Sequence, residues 1–157
     1  MAKIIPINRR AFLAAGCRTA LLALATSVFP TIAWATPKDA RKKLAELTGV
    51  DKPKKGRVTI VLPKTTDEGP MVPITVIVDS PMTDDDYVKA VHLVGERNSV
   101  PEIASFFFNP KNRKAEVATR IRLKKTQTVV AAAHMSDGSV FIGKARCKVL
   151  GGAGGCG

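Results

Sequence analysis

The side chain best placed to do chemistry is Cys156, carried in the run Gly151-Gly152-Ala153-Gly154-Gly155-Cys156-Gly157. Glycine brings no side chain to a core and loses the most conformational freedom on ordering, so this run is a poor part of a folded body. It reads instead as a flexible arm, with Gly151, Gly152, Gly154, Gly155 and Gly157 supplying the freedom. The five residues before the cysteine extend at most roughly 17 Å. An exposed thiol in an oxidising compartment is a liability unless it is used. A thiolate is a nucleophile and one half of a reversible sulfur–sulfur bond. The pattern therefore points to covalent attachment at Cys156, with the arm able to carry an adduct into another protein's active site.

The other candidate residues are weaker. In Lys144-Ala145-Arg146-Cys147-Lys148-Val149, Cys147 alternates with Ala145 and Val149, opposite three cations. That spacing places it on a core face, where cysteine behaves as a small apolar residue. The alternative is a disulfide with Cys156, because the intervening glycines would let the tail fold back. His92 and His134 are the only histidines, each inside a strand-like run, and neither has the Cys-x-x-Cys or carboxylate neighbours of a metal site. His134, Ser136 and Asp137 match a catalytic triad in letters alone, since neighbours around a hairpin do not converge. Asp84-Asp85-Asp86 lacks the alternating ligands and glycine of a calcium loop and reads as a solvated turn or a short helical start. No cofactor is implied.

The elements that must position Cys156 begin with a leader. Asn8-Arg9-Arg10-Ala11-Phe12-Leu13 is a twin-arginine element, an apolar stretch follows from Thr19 to Ala33, and Ala33-Trp34-Ala35 is a small-x-small cleavage signal. Residues 1–35 are thus expected to be a signal peptide for twin-arginine export to the periplasm, leaving no membrane association after cleavage. A lipid-anchored reading of Cys17 fits less well, because most of the apolar stretch follows that residue. With Cys17 removed, two cysteines enter an oxidising compartment.

The chain has 157 residues and a formal charge of +12. Four bases, Lys3, Arg9, Arg10 and Arg18, lie in the leader without any acid, so the remainder keeps a net charge of +8 (12 − 4). A basic domain suits an anionic ligand or an acidic partner. Nucleic acid is disfavoured, because aromatics are 5% of residues and no recognition motif is present.

Thr36-Pro37-Lys38-Asp39 predicts a helix start, with Ala40, Leu44 and Leu47 on one face and Gly49 as its stop. Residues 36–56 are this helix and a linker. Strands are predicted near 57–62, 71–78, 87–95, 102–108, 115–123, 127–135 and 139–150, separated by turn sequences such as Ser80-Pro81, Asn109-Pro110 and Ser136-Asp137-Gly138. In one of them Val117, Thr119, Ile121 and Leu123 share a face opposite Glu116, Ala118, Arg120 and Arg122. The expected fold is all-β: an immunoglobulin-like antiparallel β-sandwich over 57–150, a short N-terminal helix, and the glycine-rich arm over 151–157.

Several segments together resemble one family. They are Val78-Asp79-Ser80-Pro81-Met82-Thr83, Asp86-Tyr87-Val88, Thr126-Gln127-Thr128-Val129-Val130-Ala131, Met135-Ser136-Asp137-Gly138 and the terminal Gly-Gly-Cys-Gly. The family they resemble is SoxY, the sulfur-carrying subunit of bacterial thiosulfate-oxidising systems. The resemblance implies a sandwich paired with a second small β-protein, SoxZ. It also implies that Cys156 holds pathway intermediates, with thiosulfate joined oxidatively by haem-containing SoxXA and sulfate released by the hydrolase SoxB. The carrier itself would turn over nothing. Two departures accompany it: the family's usual Gly-Gly-Cys-Gly-Gly ending is changed, with Gly151-Gly152-Ala153 lengthening the arm, and Cys147 is an additional thiol. Two other classes compete, a thiol oxidoreductase or peroxidase using Cys156 and Cys147, and an adaptor crosslinked through its tail.

Overall fold

The computed structural model describes residues 36–150, so the leader, the glycine arm and Cys156 lie outside the described residues. The first element is helix α1 (Pro37–Thr48). Its start is a reciprocal cap: the Thr36 hydroxyl accepts from the Asp39 amide at 3.3 Å, and the Asp39 carboxylate accepts from the Thr36 amide at 2.8 Å. At the other end Gly49 takes φ 69° and its amide donates to the Ala45 carbonyl at 2.8 Å. Ala40 and Leu44 are buried and Leu47 packs beside them, the face that the sequence predicts.

Nine strands follow: β1 (Lys54–Lys55), β2 (Val58–Val61), β3 (Thr65–Thr66), β4 (Val72–Val78), β5 (Val88–Gly95), β6 (Glu102–Phe107), β7 (Ala115–Ile121), β8 (Gln127–Met135) and β9 (Val140–Val149). The seven longer ones match the seven predicted runs to within about three residues at each end. They form two sheets, one in the order β1-β9-β8-β5-β6 and the other β2-β4-β7. The long ladders are antiparallel; the two-residue strands β1 and β3 each pair parallel with β9. Those two short pairings are absent from the sequence reading, since two residues carry no alternation to detect.

The sheets close on one core. β4 contributes Val72, Ile74, Val76 and Val78, its alternate residues, against Val88, Val91, Leu93, Val129, Ala131, Ala133 and Met135 from the facing sheet. Strands β5 and β8 are buried on both faces, because α1 lies over the outer side of their sheet. Val94, Val130, Ala132 and Val140 meet Ala40 and Leu44 there. This double burial explains why Val129-Val130-Ala131-Ala132-Ala133 is continuously apolar rather than alternating.

A chain of polar contacts ties the helix to the sheet. Lys43 faces the Glu102 carboxylate at 3.4 Å, Glu102 accepts from the Ser105 hydroxyl at 3.1 Å, and Ser105 lies 2.8 Å from Nδ1 of His92. A hydroxyl has one proton and Ser105 gives it to the carboxylate, so Nδ1 of His92 is the donor in its contact. His92 is buried, and that burial pulls its proton affinity below the ordinary 6.5, with Glu102 partly opposing and His134 adding to the drop.

Candidate functional site

The glycine run expected to serve as an arm follows β9 in sequence, and the end of that strand is clamped from three sides. β3 pairs with it, matching Thr65 to Lys148 and Thr66 to Val149, and the Lys148 and Leu150 amides donate to Lys64 and Thr66 carbonyls at 2.8 and 2.9 Å. Thr126, at the entry to β8, closes the opposite side: its hydroxyl accepts from the Val149 amide at 3.1 Å and donates to the Val149 carbonyl at 3.4 Å. The third side is the turn after β3. Gly69 is buried there, and a Cβ on it would stand 2.5 Å from the Leu123 carbonyl oxygen and 3.2 Å from a Val149 methyl. The Leu123 amide donates to the Gly69 carbonyl at 2.7 Å, so backbone meets backbone at this point. The end of β9 is therefore a fixed point. Sequence reading misses this clamp: Glu68-Gly69-Pro70 reads as a turn, but not as a wedge against the end of β9.

Cys147 lies one turn of pleat earlier on β9 and is fully buried in the core between the sheets, opposite Gln127. Burial raises its thiol above the ordinary cysteine value, so it stays protonated and weakly reactive. This is the core placement that the alternation predicts. Its thiol is closed to solvent in this fold, so a resolving role or a disulfide to Cys156 would first have to expose it. Cys156 and Gly151, Gly152, Gly154, Gly155 and Gly157 fall outside the described residues.

The motif around Asp79-Ser80-Pro81-Met82 proves to be a corner between the sheets. Met82, at φ 53°, sends its side chain into the core, where its sulfur receives the Val88 amide at 3.5 Å. The Ser80 hydroxyl accepts from the Met82 amide, Arg57 pairs with Asp86 at 3.0 Å, and the Asp79 amide donates to the Arg57 carbonyl. Ser136 of the β8–β9 turn joins this corner, accepting from the Tyr87 amide at 3.1 Å and donating to the Asp85 carbonyl at 2.8 Å. Three of the segments quoted above thus meet in space. They sit at the Met135 end of β8, whereas the end of β9 adjoins its Gln127 end; the nine-residue strand holds the two about 27 Å apart.

The polar letters elsewhere do not assemble into a catalytic centre. Asp137 spends its carboxylate on the Ser139 amide and hydroxyl at 2.8 and 2.6 Å, and those bonds hold it below the ordinary carboxylate range. Asp84, Asp85 and Asp86 are a bend rather than a helical start. Among the described residues there is no group of three or more histidine, cysteine or acidic side chains that could hold a metal ion. No described helix is long and apolar enough to cross a membrane.

The sandwich also carries an open cleft. It lies between the edges of the two sheets, where β6 and β7 diverge, and encloses about 300 Å³. Arg120, Arg122 and Lys124 line it together with Glu102, over Ile103 and Ile121.

The architecture is shared with proteins of known structure. The chain is similar to the sulfur carrier protein SoxY from Chlorobium limicola f thiosulfatophilum, with 24% identity and a TM-score of 0.59, covering 69% of this chain and 94% of that one. It is also similar to superoxide reductase (neelaredoxin) from Ignicoccus hospitalis, at 15% identity and a TM-score of 0.53, covering 73% of this chain and 94% of that one. These likenesses define the fold class, a two-sheet β-sandwich with one short helix. No curated protein sequence matches the chain. The family profile described as sulfur oxidation protein SoxY matches residues 44–156. The chain belongs to the SoxY family.

Proposed function

We propose that this protein is a periplasmic sulfur carrier that holds intermediates of thiosulfate oxidation covalently on Cys156 and presents them to partner enzymes. The observation that carries this reading is the SoxY family match, which runs through the sandwich and on to Cys156 itself. The burial of Cys147 supports it, because it leaves Cys156 as the available thiol once the leader with Cys17 is removed. The clamped end of β9 supports it as well, since an arm is useful when it swings from a fixed point.

The chemistry follows from the thiolate. Its sulfur joins the outer sulfur of thiosulfate, and two electrons leave to the haem-containing SoxXA, giving Cys–S–S–SO3⁻. Water then attacks the sulfonate sulfur with SoxB as hydrolase. The S–S bond to that sulfur breaks, sulfate and two protons depart, and the persulfide Cys–S–S⁻ remains for later partners. The carrier supplies attachment, reach and a narrow glycine backbone that enters a partner's channel. Its own turnover is nil.

The resting form is a heterodimer with a SoxZ-like β-protein. Phe107 on the edge strand β6, 78% exposed, is a candidate contact for that partner. Export follows the twin-arginine route, which moves the folded pair together.

The test is mass spectrometry of peptides after incubation with thiosulfate and the haem enzyme from the same host. Wild type is expected to gain the thiosulfonate on Cys156, and Cys156→Ser to gain none while folding normally. An adduct on Cys147, or one that persists in Cys156→Ser, would overturn the assignment.

A further inference from the structure

The outer face of β9 carries a row of cations of one sign. Lys144, Arg146 and Lys148 alternate along the strand, on the side opposite buried Cys147, and all three are exposed. They follow one another at steps of about 7 Å. Among the described residues none of the three is in an ion pair. Glu96 and Asp51 line a shallow groove with Lys144, and Asp67 and Glu68 follow the short strand β3 that pairs with Lys148, yet none of these acids pairs with the row. Leu150, 55% exposed, is next on the same face and is the last described residue. The row also has a rigid base. Lys144 and Arg146 sit on the ladder opposite Val130 and Thr128, and the amides of Lys148 and Leu150 are bonded to Lys64 and Thr66.

We infer that this row is a docking surface for an acidic face on the enzymes that receive the carrier: Lys144, Arg146 and Lys148 steer such a partner so that the mouth of its active-site channel meets the carrier at Leu150. The inference rests on the proposed carrier role of Cys156. Charge and position select the occupant. A partner that takes up Cys156 must lie within about 20 Å of Leu150, the full extension of the six residues between them. Back along β9 from Leu150, the row covers a similar length, about 20 Å to Lys144. A protein docked within reach of the thiol therefore also lies within reach of the cations. Exposed charges of this kind act mainly on the rate of encounter and on orientation, and salt screens them. An anionic membrane would attract the same charges, but a carrier lying on it would cover the point from which the thiol must reach a partner.

The test uses the exported protein purified from its host and measures how fast the haem enzyme of that host modifies Cys156 with thiosulfate, as a function of carrier and salt concentration. The variant is Lys144→Gln/Arg146→Gln/Lys148→Gln. Its control is Lys111→Gln/Arg113→Gln/Lys114→Gln, which removes the same charge from exposed positions between β6 and β7, at the sheet edge away from β9. At low ionic strength the β9 variant is expected to lose roughly tenfold in kcat/KM, through KM, while the control stays near wild type. The difference should close at about 0.5 M salt, where screening is nearly complete. Iodoacetamide, a small neutral reagent, should alkylate Cys156 at the same rate in all three proteins, which shows the thiol itself to be unaltered. A β9 variant that matches wild type at low salt, or a control that loses as much, would overturn the docking surface and leave the carrier reading intact. Vesicles of phosphatidylglycerol are the second probe: binding that the β9 substitutions abolish, beside unchanged enzyme kinetics, would assign the row to a membrane instead. A wild-type protein that the haem enzyme never modifies would bring down the carrier reading and the docking surface together.

Discussion

Replacing Gly69 with alanine tests whether the arm root is held by close backbone contact. The added methyl would stand 2.5 Å from the Leu123 carbonyl oxygen, where an ordinary C···O contact needs about 3.3 Å. Neither side can give easily. The oxygen belongs to backbone, and moving Leu123 away stretches the 2.7 Å bond from its amide to the Gly69 carbonyl. The second neighbour, a Val149 methyl at 3.2 Å, is held through Thr126 and β3. Overpacking of this kind costs about 1–3 kcal/mol, and a weakened hydrogen bond adds about 0.5–1.5 kcal/mol. A total near 2–3 kcal/mol lowers the melting temperature by roughly 8–12 °C for a domain of this size. The assay is urea and thermal unfolding of the leader-free chain, with amide exchange at Lys148 and Leu150 as the local readout. Both amides should lose protection by more than the global loss of stability accounts for. A melting temperature within about 2 °C of wild type, with those amides unchanged, would refute the clamp.

Other outcomes follow from the structure and the sequence. Cys147→Ala should cost about 1 kcal/mol by unfolding and leave the Cys156 adduct unchanged; in the native chain a thiol reagent should titrate Cys156 at once and Cys147 after unfolding. Because burial depresses the proton affinity of His92, the unfolded chain binds a proton that the folded chain resists. Its contribution to stability is therefore fully present above pH 6.5 and declines as the pH falls below that value, so stability curves of wild type and His92→Gln should diverge on acidification. Parallel curves would remove His92 as the cause. Replacing Arg9 and Arg10 with lysine should trap precursor in the cytoplasm, and normal export of that variant would point to the general secretory route.

Much of this molecule is written locally. Thr36-Pro37-Lys38-Asp39 and Gly49 specify the helix ends, because a cap is an interaction between residues three or four apart. The strands of the sandwich are legible for the same reason: alternation along Ala115–Ile121 or around Cys147 follows from a period of two, whatever the strand meets. The reading of the glycine run and Cys156 rests likewise on backbone freedom and thiol chemistry, and it falls outside the described residues. Tertiary structure decided what depends on encounters between distant segments. Two-residue strands such as β3 have no pattern of their own and exist because β9 offers them partners. Gly69 is a wedge against the end of β9, rather than an ordinary turn glycine, only because Leu123 and Val149 arrive at the same point. Arg120 and Arg122 read as one solvated face of a strand, and they become the wall of a cleft because the facing sheet diverges from theirs at β6. Periodicity fixes which way a side chain points. Only packing fixes what stands opposite.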